Sequence, residues 1–345
     1  MAHISIPWKT FLHYKTKLNQ QDKDIYTAIL DGLLDWKKRI PIPTASDSDH
    51  IYDIFTMVLR DVPMLFHVSN GLRISTGLYS YVVPEYIMDE QTYEKYFALV
   101  VAFLKNCKAL LTKHEPFNKL QIIHDSIVQH VEYHNTETHN EHNILGTILD
   151  KKAVCESIAK SYKLLCDFCM IPSIVVFGYS DANNQSVQRT TPTVSSSTPE
   201  DNHAWNIVRL DEKWYNVDLT FDVTLGDFDS FTAFRYDYFL RSDSVFNLEH
   251  YPSQKELLPQ CPADFNLYKK IDQHVQTAAD VASVIKAALR KKNNARTIIF
   301  GVDTSTGLTE RKVASTVSTT CFLNGKSASS YTYNERTGVF CVILE

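Results

Sequence analysis

Apolar residues recur every three or four positions in two N-terminal stretches. The first set is Ile25, Ile29, Leu33 and Leu34; the second is Ile51, Ile54, Met57 and Val58. That spacing keeps one side of a helix apolar and predicts two helices within residues 9–60. Pro41 and Pro43 break them apart, and Ser48 followed by Asp49 suits a helix start. The pattern then changes. Met64 to Val68 and Leu72 to Ile74 flank Asn70-Gly71, the pair that most favours a tight hairpin turn. A third strand, Leu78 to Val83, is expected next, and Gln91 to Leu111 reads as a long helix.

Helical periodicity returns in Phe117 to Glu132, with Leu120, Ile123, Ile127 and Val131 on one face. A polar stretch from His134 to Asn143 leads to Gly146. Behind Cys155, the residues Ile158, Tyr162, Leu165, Cys166 and Cys169 form another buried stripe. Ile174 to Phe177 is a wholly apolar run of strand length. Ser180 to Asn202 is rich in Ser, Thr, Asn and Gln and predicts a surface loop. Tyr236 to Leu240 suggests a further strand. The C-terminal part reads as helix (Ala278 to Leu289), strand (Thr297 to Val302), helix (Thr309 to Val317) and a hairpin pairing Ser330–Tyr333 with Val339–Leu344.

These changes of pattern divide the chain into three α+β parts: 1–114, 115–255 and 262–345. The 345 residues exceed what one core usually serves, and the 44% hydrophobic content is enough for several cores. A net charge of −5 argues against a general nucleic-acid binder. No run is long and apolar enough to span a membrane. The first residues lack the pattern of a secretory leader, and seven scattered cysteines suit free thiols. Together they predict a reducing, cytoplasmic setting.

The chemistry converges on three residues. Cys155 opens an apolar-periodic helix, where partial positive charge and unpaired N–H groups favour a thiolate and could hold an oxyanion. His203 opens a strand, and Asp218 closes the strand after it. If Asp211-Glu212 is a two-residue turn, His203 lies opposite Thr220 and diagonal to Asp218, all on one face. The carboxylate could then fix the imidazole tautomer. Taken singly, each of these residues would be read as ordinary. The order and spacing of the set is what points to an activated sulfur nucleophile.

The surrounding residues extend the argument. Ala153-Val154-Cys155-Glu156-Ser157-Ile158-Ala159 resembles the nucleophile helix of the transglutaminase-like superfamily of papain-like cysteine enzymes, usually G-V-C-x-G-Y-A. His203-Ala204-Trp205-Asn206-Ile207-Val208 resembles its H-A-W-N-x-V. Trp214 to Asp222 resembles its W-Y-x-V-D-x-T-W-D. The segment His142 to Ile148 is similar to an H-x-x-x-G-x-L run found ahead of the cysteine in bacterial members. The resemblance covers roughly residues 118–250. It implies a papain-like core, with a nucleophile helix packed on an antiparallel sheet. Cys155 would be the nucleophile, His203 the general base and acid, and Asp218 the orienter. His142, Trp205 and Ser157 would line the substrate site. Ser157 and Ile158 depart from the usual Gly and aromatic residue, which tightens packing beside the sulfur.

The implied reaction is acyl transfer through a thioester on a protein or peptide carboxamide. An amine acceptor gives a cross-link; water gives deamidation or peptide cleavage. A non-catalytic binding module of the same fold is the alternative from another class. No cofactor is implied. Cys166 and Cys169 form one CxxC pair inside a helix, which fits core packing rather than zinc. His134, His139 and His142 match no metal spacing, so no metal site is expected.

Overall fold

The computed structural model describes residues 6, 8–43, 46–77, 79–135, 139–181, 201–224, 234–290 and 296–344. The expected Ser180–Asn202 loop lies mostly outside the described residues. The fold is α+β, and the chain divides into two compact units: residues 1–214 with 250–259, and residues 215–249 with 260–345. Among the described residues, no helix is long and apolar enough to cross a membrane.

The first unit begins with α1 (His13–Lys17), α2 (Gln20–Leu34), β1 (Ile40–Ile42) and α3 (Ser48–Asp61). The start of α3 is capped by Asp47, one residue ahead of the Ser expected there; its carboxylate accepts the His50 N–H at 2.8 Å. β2 (Val68–Ser75) and β3 (Ser80–Tyr86) complete an antiparallel sheet ordered β1-β3-β2. Here the structure corrects the expected hairpin. β2 runs straight through Asn70-Gly71, and Met64 to Phe66 form turns rather than a strand. The register slips between Val68 and Leu72, so Asn70-Gly71 sits in a bulge. The Gly71 N–H bonds the Ser69 hydroxyl at 2.9 Å instead of a partner strand. The Asn70 side chain is thereby turned to another use.

His67 ends this part of the core. It is fully buried, with its ring 4.1 Å from Trp36, 4.8 Å from Tyr93 and 5.5 Å from Tyr86. Its Nε2–H donates to the Leu33 carbonyl at 3.4 Å. Burial holds its pKa down to about 4, against the smaller opposing pull of that carbonyl.

Two helices follow as expected, α4 (Glu90–Leu111) and α5 (Pro116–His130). β4 (Glu132–Tyr133) pairs in parallel with β5 (Lys152–Ala153). Between them lies a π turn, Gly146–Asp150, ending at Lys151 with φ +60°. Then come α6 (Cys155–Phe168), β6 (Ser173–Ser180), β7 (His203–Leu210) and β8 (Lys213–Val217). With β9 (His250–Pro252) they form a sheet ordered β8-β7-β6-β9. The β7–β8 connection is the two-residue turn expected. Asp211 and Glu212 take φ of +48° and +65°, the left-handed pair that such a turn requires even without glycine.

α6 packs on the sheet through Ala159, which meets Val175 and Ala204. Lys163 on the same helix is fully buried. Its ammonium donates to the Asp167 carboxylate at 3.0 Å, the Ser173 carbonyl at 3.1 Å and the Phe11 carbonyl at 3.0 Å. Tyr14 donates its hydroxyl to the Val175 carbonyl at 2.8 Å. N-terminal residues thus complete the hydrogen bonding of α6 and β6.

The second unit starts within β8, at Tyr215, and β8 runs on into α7 (Leu219–Thr224). Thr220 is therefore helical, and the strand-like facing of His203 and Thr220 predicted from the turn is not realised. Asp218 stops the strand because its carboxylate accepts the Phe221 N–H at 3.2 Å, capping the helix. Tyr236 to Leu240, expected as a strand, is a series of bends ending in Leu240 at φ +57°. Side chains occupy this segment's surroundings instead of a ladder. Arg235 grips the Asp237 carboxylate at 2.9 and 2.7 Å, and the Tyr238 N–H donates to Asp222 at 3.2 Å. α8 (Asp243–Phe246) and α9 (Leu267–Lys270) follow. The C-terminal elements match expectation closely: β10 (His274–Val275), α10 (Ala278–Arg290), β11 (Thr297–Val302), α11 (Glu310–Leu323), β12 (Ala328–Asn334) and β13 (Val339–Leu344). Their sheet, β10-β11-β13-β12, buries Phe300, Phe340 and Val342 against Val281, Ile285, Val313 and Val317.

Candidate active site

Cys155 is the first residue of α6. Val154 before it is extended, with φ −94° and ψ 174°, and its carbonyl accepts the Ile158 N–H at 3.2 Å. The chain thus turns from β5 into the helix at the sulfur, and the N–H groups of the first turn lack carbonyl partners within the helix. The thiol is half-buried. It packs against Ala159, Val175 and Ala204, alongside Phe177. Ala204 directly follows His203, so the sulfur meets the sheet one residue from the candidate imidazole.

The next residue, Glu156, is buried and held from three directions. Lys160, one turn on, donates at 2.6 Å; the Asn70 amide donates at 2.9 Å; and His142 Nδ1 lies 3.2 Å away. Burial raises the Glu156 pKa, but Lys160, His142 and Asn70 outweigh it and hold it at about 2. The pair raises the His142 pKa in return, through its bond to Glu156, against partial desolvation. His142, Asn143 and Lys160 line a cavity of about 230 Å³ together with Val68, Ser69, Asn70 and Ile87. An acidic first turn suits the helix dipole, and the three donors keep its charge from standing alone beside the sulfur.

Ser157 is fully buried. Its hydroxyl donates to the Asn143 carbonyl and accepts the Thr147 N–H at 3.1 Å. It ties the helix to the segment ahead of it. Gly146 explains the glycine of the preceding motif: a Cβ there would come within 2.5 Å of the Asn140 carbonyl and 2.7 Å of the Lys152 carbonyl. His134 sits 3.2 Å from Glu141 while His142 serves Glu156, so these two imidazoles go to different carboxylates.

On the sheet, Asn206 faces α6 and donates to the Ala159 carbonyl at 3.0 Å and the Ile174 carbonyl at 3.3 Å. His203 and Trp205 stand on the same strand, β7. Their rings lie 6.0 Å apart, and the buried His250 of β9 comes within 5.6 Å of His203 and 5.1 Å of Trp205. Gly178 makes room for this group. A Cβ there would stand 2.8 Å from the Trp205 ring and collide with the Tyr251 carbonyl.

Asp218, in the second unit, is fully buried. Its carboxylate takes the Phe221 N–H, and its own N–H donates to the Tyr238 carbonyl at 3.0 Å. Asp222, four residues on, holds the Tyr238 N–H. The second aspartate of the motif therefore holds the backbone at Tyr238.

The sequence reading did not single out Glu156, Lys160, Asn70, Asn206 or His250. The four-residue spacing of Glu156 and Lys160 was an available signal for a helical ion pair. His250 carried none, because β-pairing across 70 residues brings it to the sheet.

Residues 105–219 match the family model described as the transglutaminase-like superfamily. The chain is 29% identical over 173 residues to human "Kyphoscoliosis peptidase", a match covering 46% of this chain and 25% of that protein. The mouse protein of the same name is 28% identical over 156 residues, covering 41% of this chain and 22% of that protein. The chain thus spans about a quarter of the length of the curated relatives it matches. Among solved structures, a TGase aligns with a TM-score of 0.30 and 12% identity over 57% of this chain and 55% of that one.

Proposed function

Because residues 105–219 belong to the transglutaminase-like superfamily, we propose that this protein is a thiol-dependent enzyme acting on protein or peptide carbonyls. Residues 115–255 carry the chemistry, and 1–114 and 262–345 flank it. Cys155 is the nucleophile, His203 the general base and acid, and Asp218 the group that orients the imidazole. The observation that carries this reading is the half-buried Cys155 thiol at the start of α6, packed against the residue next to His203.

In the proposed reaction, His203 takes the thiol proton and the sulfur attacks a carboxamide or peptide carbonyl carbon. The oxyanion is met by N–H groups of the first helical turn. The C–N bond breaks, His203 returns the proton to the leaving nitrogen, and a thioester remains. An amine or water then attacks that thioester and releases the thiol. The human and mouse relatives bear the name peptidase, which supports water as the second nucleophile and cleavage as the outcome.

Mass spectrometry of a Gln- and Lys-containing protein mixture tests the reading, with wild type compared to Cys155→Ala. New termini identify a peptidase, a gain of about 1 Da a deamidase, and linked peptides a cross-linking acyltransferase. Activity is expected to fall by roughly 10²-fold or more in Cys155→Ala. Equal activity in both proteins would overturn the proposal.

A further inference from the structure

The face of α6 away from the sheet closes a second cavity, of about 270 Å³, with α4, α5 and the π turn. Its walls are apolar, with Phe103, Leu111, Ile123, Ile127, Ile148 and Leu165 among them. Among the described residues no carboxylate lines it, but two basic groups do, Lys151 and His130. Both are exposed, so they mark the rim. The Lys151 ammonium stands 5.6 Å over the Phe103 ring and donates to the Thr147 carbonyl at 3.4 Å. Partial burial lowers its pKa, with the nearby Cys107 pulling the other way. The residue is held here in a left-handed conformation, φ +60°, at the end of a π turn. Such turns are uncommon, and they recur at functional sites.

The shape and charge select a ligand class. A cavity of about 150 Å³ accommodates a benzene ring, so this volume suits a chain of roughly eight to twelve carbons. An apolar interior closed by a cationic rim favours a chain that ends in an anion. We propose that this cavity binds a medium-chain carboxylate, with the alkyl chain among Phe103, Ile123, Ile127 and Ile148 and the carboxylate at Lys151. The site does not involve Cys155 or His203, so it stands or falls independently of the catalytic reading.

Octanoate and octan-1-ol are the probes, used with the full chain and followed by titration calorimetry. Octanoate is expected to bind saturably, one per chain. Lys151→Gln should weaken octanoate roughly tenfold, the loss of about one charge-assisted hydrogen bond, and leave octan-1-ol unchanged. A second measurement needs no variant. Cys107 is half-buried and lines the cavity, so octanoate should slow its alkylation by N-ethylmaleimide, read by peptide mass spectrometry. Non-saturating uptake of octanoate, or alkylation of Cys107 at one rate with and without it, would overturn the proposal. Equal weakening of the acid and the alcohol in Lys151→Gln would remove the carboxylate from it.

Discussion

Asn70 donates its side-chain amide to the Glu156 carboxylate at 2.9 Å, across 86 positions of sequence. A bulge in an N-terminal strand thereby fixes the first turn of the helix that Cys155 opens. Its partners at that carboxylate, Lys160 and His142, come from the helix itself and from the segment ahead of it.

Removing the charge at Glu156 should be costly. Glu156→Gln leaves the buried Lys160 ammonium without its counter-charge, and urea denaturation should show a loss of about 3–5 kcal/mol. Asn70→Ala removes one donor to a charged group and should cost about 1–3 kcal/mol. The Glu156 pKa is depressed from 4.5 to about 2, so its contribution is complete above pH 4.5 and lost as pH falls through 2. A loss below 1 kcal/mol in Glu156→Gln would mean the network adds little.

His67 gives an acid dependence of the same sign at a higher pH. Its folded pKa lies near 4, below the ordinary 6.5, so the unfolded chain binds the extra proton. Stability should rise between pH 4 and pH 6.5, by about 3 kcal/mol from this ring. His67→Phe should flatten that slope in denaturant melts run across the range. An unchanged slope would assign the effect to other groups, such as the buried His13, whose pKa burial also lowers to about 4.

Gly178→Ala should disturb both neighbours of β6. The added Cβ would press on the Trp205 ring and on the β9 backbone at Tyr251. The expected cost is about 1–3 kcal/mol, the range for forcing atoms into a filled core. Hydrogen exchange at 250–252 should rise with it. Unaltered exchange there would show that the strands move apart at no cost.

Lys163 and Asp167 form a buried pair whose partners should be removed together. Lys163→Met alone leaves the Asp167 carboxylate in a site where burial already raises its pKa to about 6, and should cost about 3–5 kcal/mol. The double variant Lys163→Met/Asp167→Leu should lose less than the two single losses added, a coupling that a double-mutant cycle measures.

What the sequence revealed depended on whether a signal was local. The helix behind Cys155, the Asp211-Glu212 turn and the β11 strand were legible because periodicity or turn length lies within a few residues. Asn70-Gly71 was misread because its turn preference is real but the register of β2 on β3 overrode it, and a side-chain bond to Glu156 uses the bulge. Tyr236 to Leu240 has the composition of a strand, yet Asp222 and Arg235 engage it with side chains. The motif aspartates look alike on paper. The structure separates one that ends β8 and caps α7 from one that holds the Tyr238 amide.

The contacts of Phe11 and Tyr14 bear on any attempt to excise the family-matched segment. A fragment cut to residues 105–219 would lose the Phe11 carbonyl from Lys163, the Tyr14 hydroxyl from Val175 and the Asn70 amide from Glu156. Such a fragment would expose two ionic groups designed for enclosure, and should be recovered from expression as insoluble material. A shortened version intended for crystallisation or engineering therefore has to keep Phe11, Tyr14 and Asn70 with the matched segment.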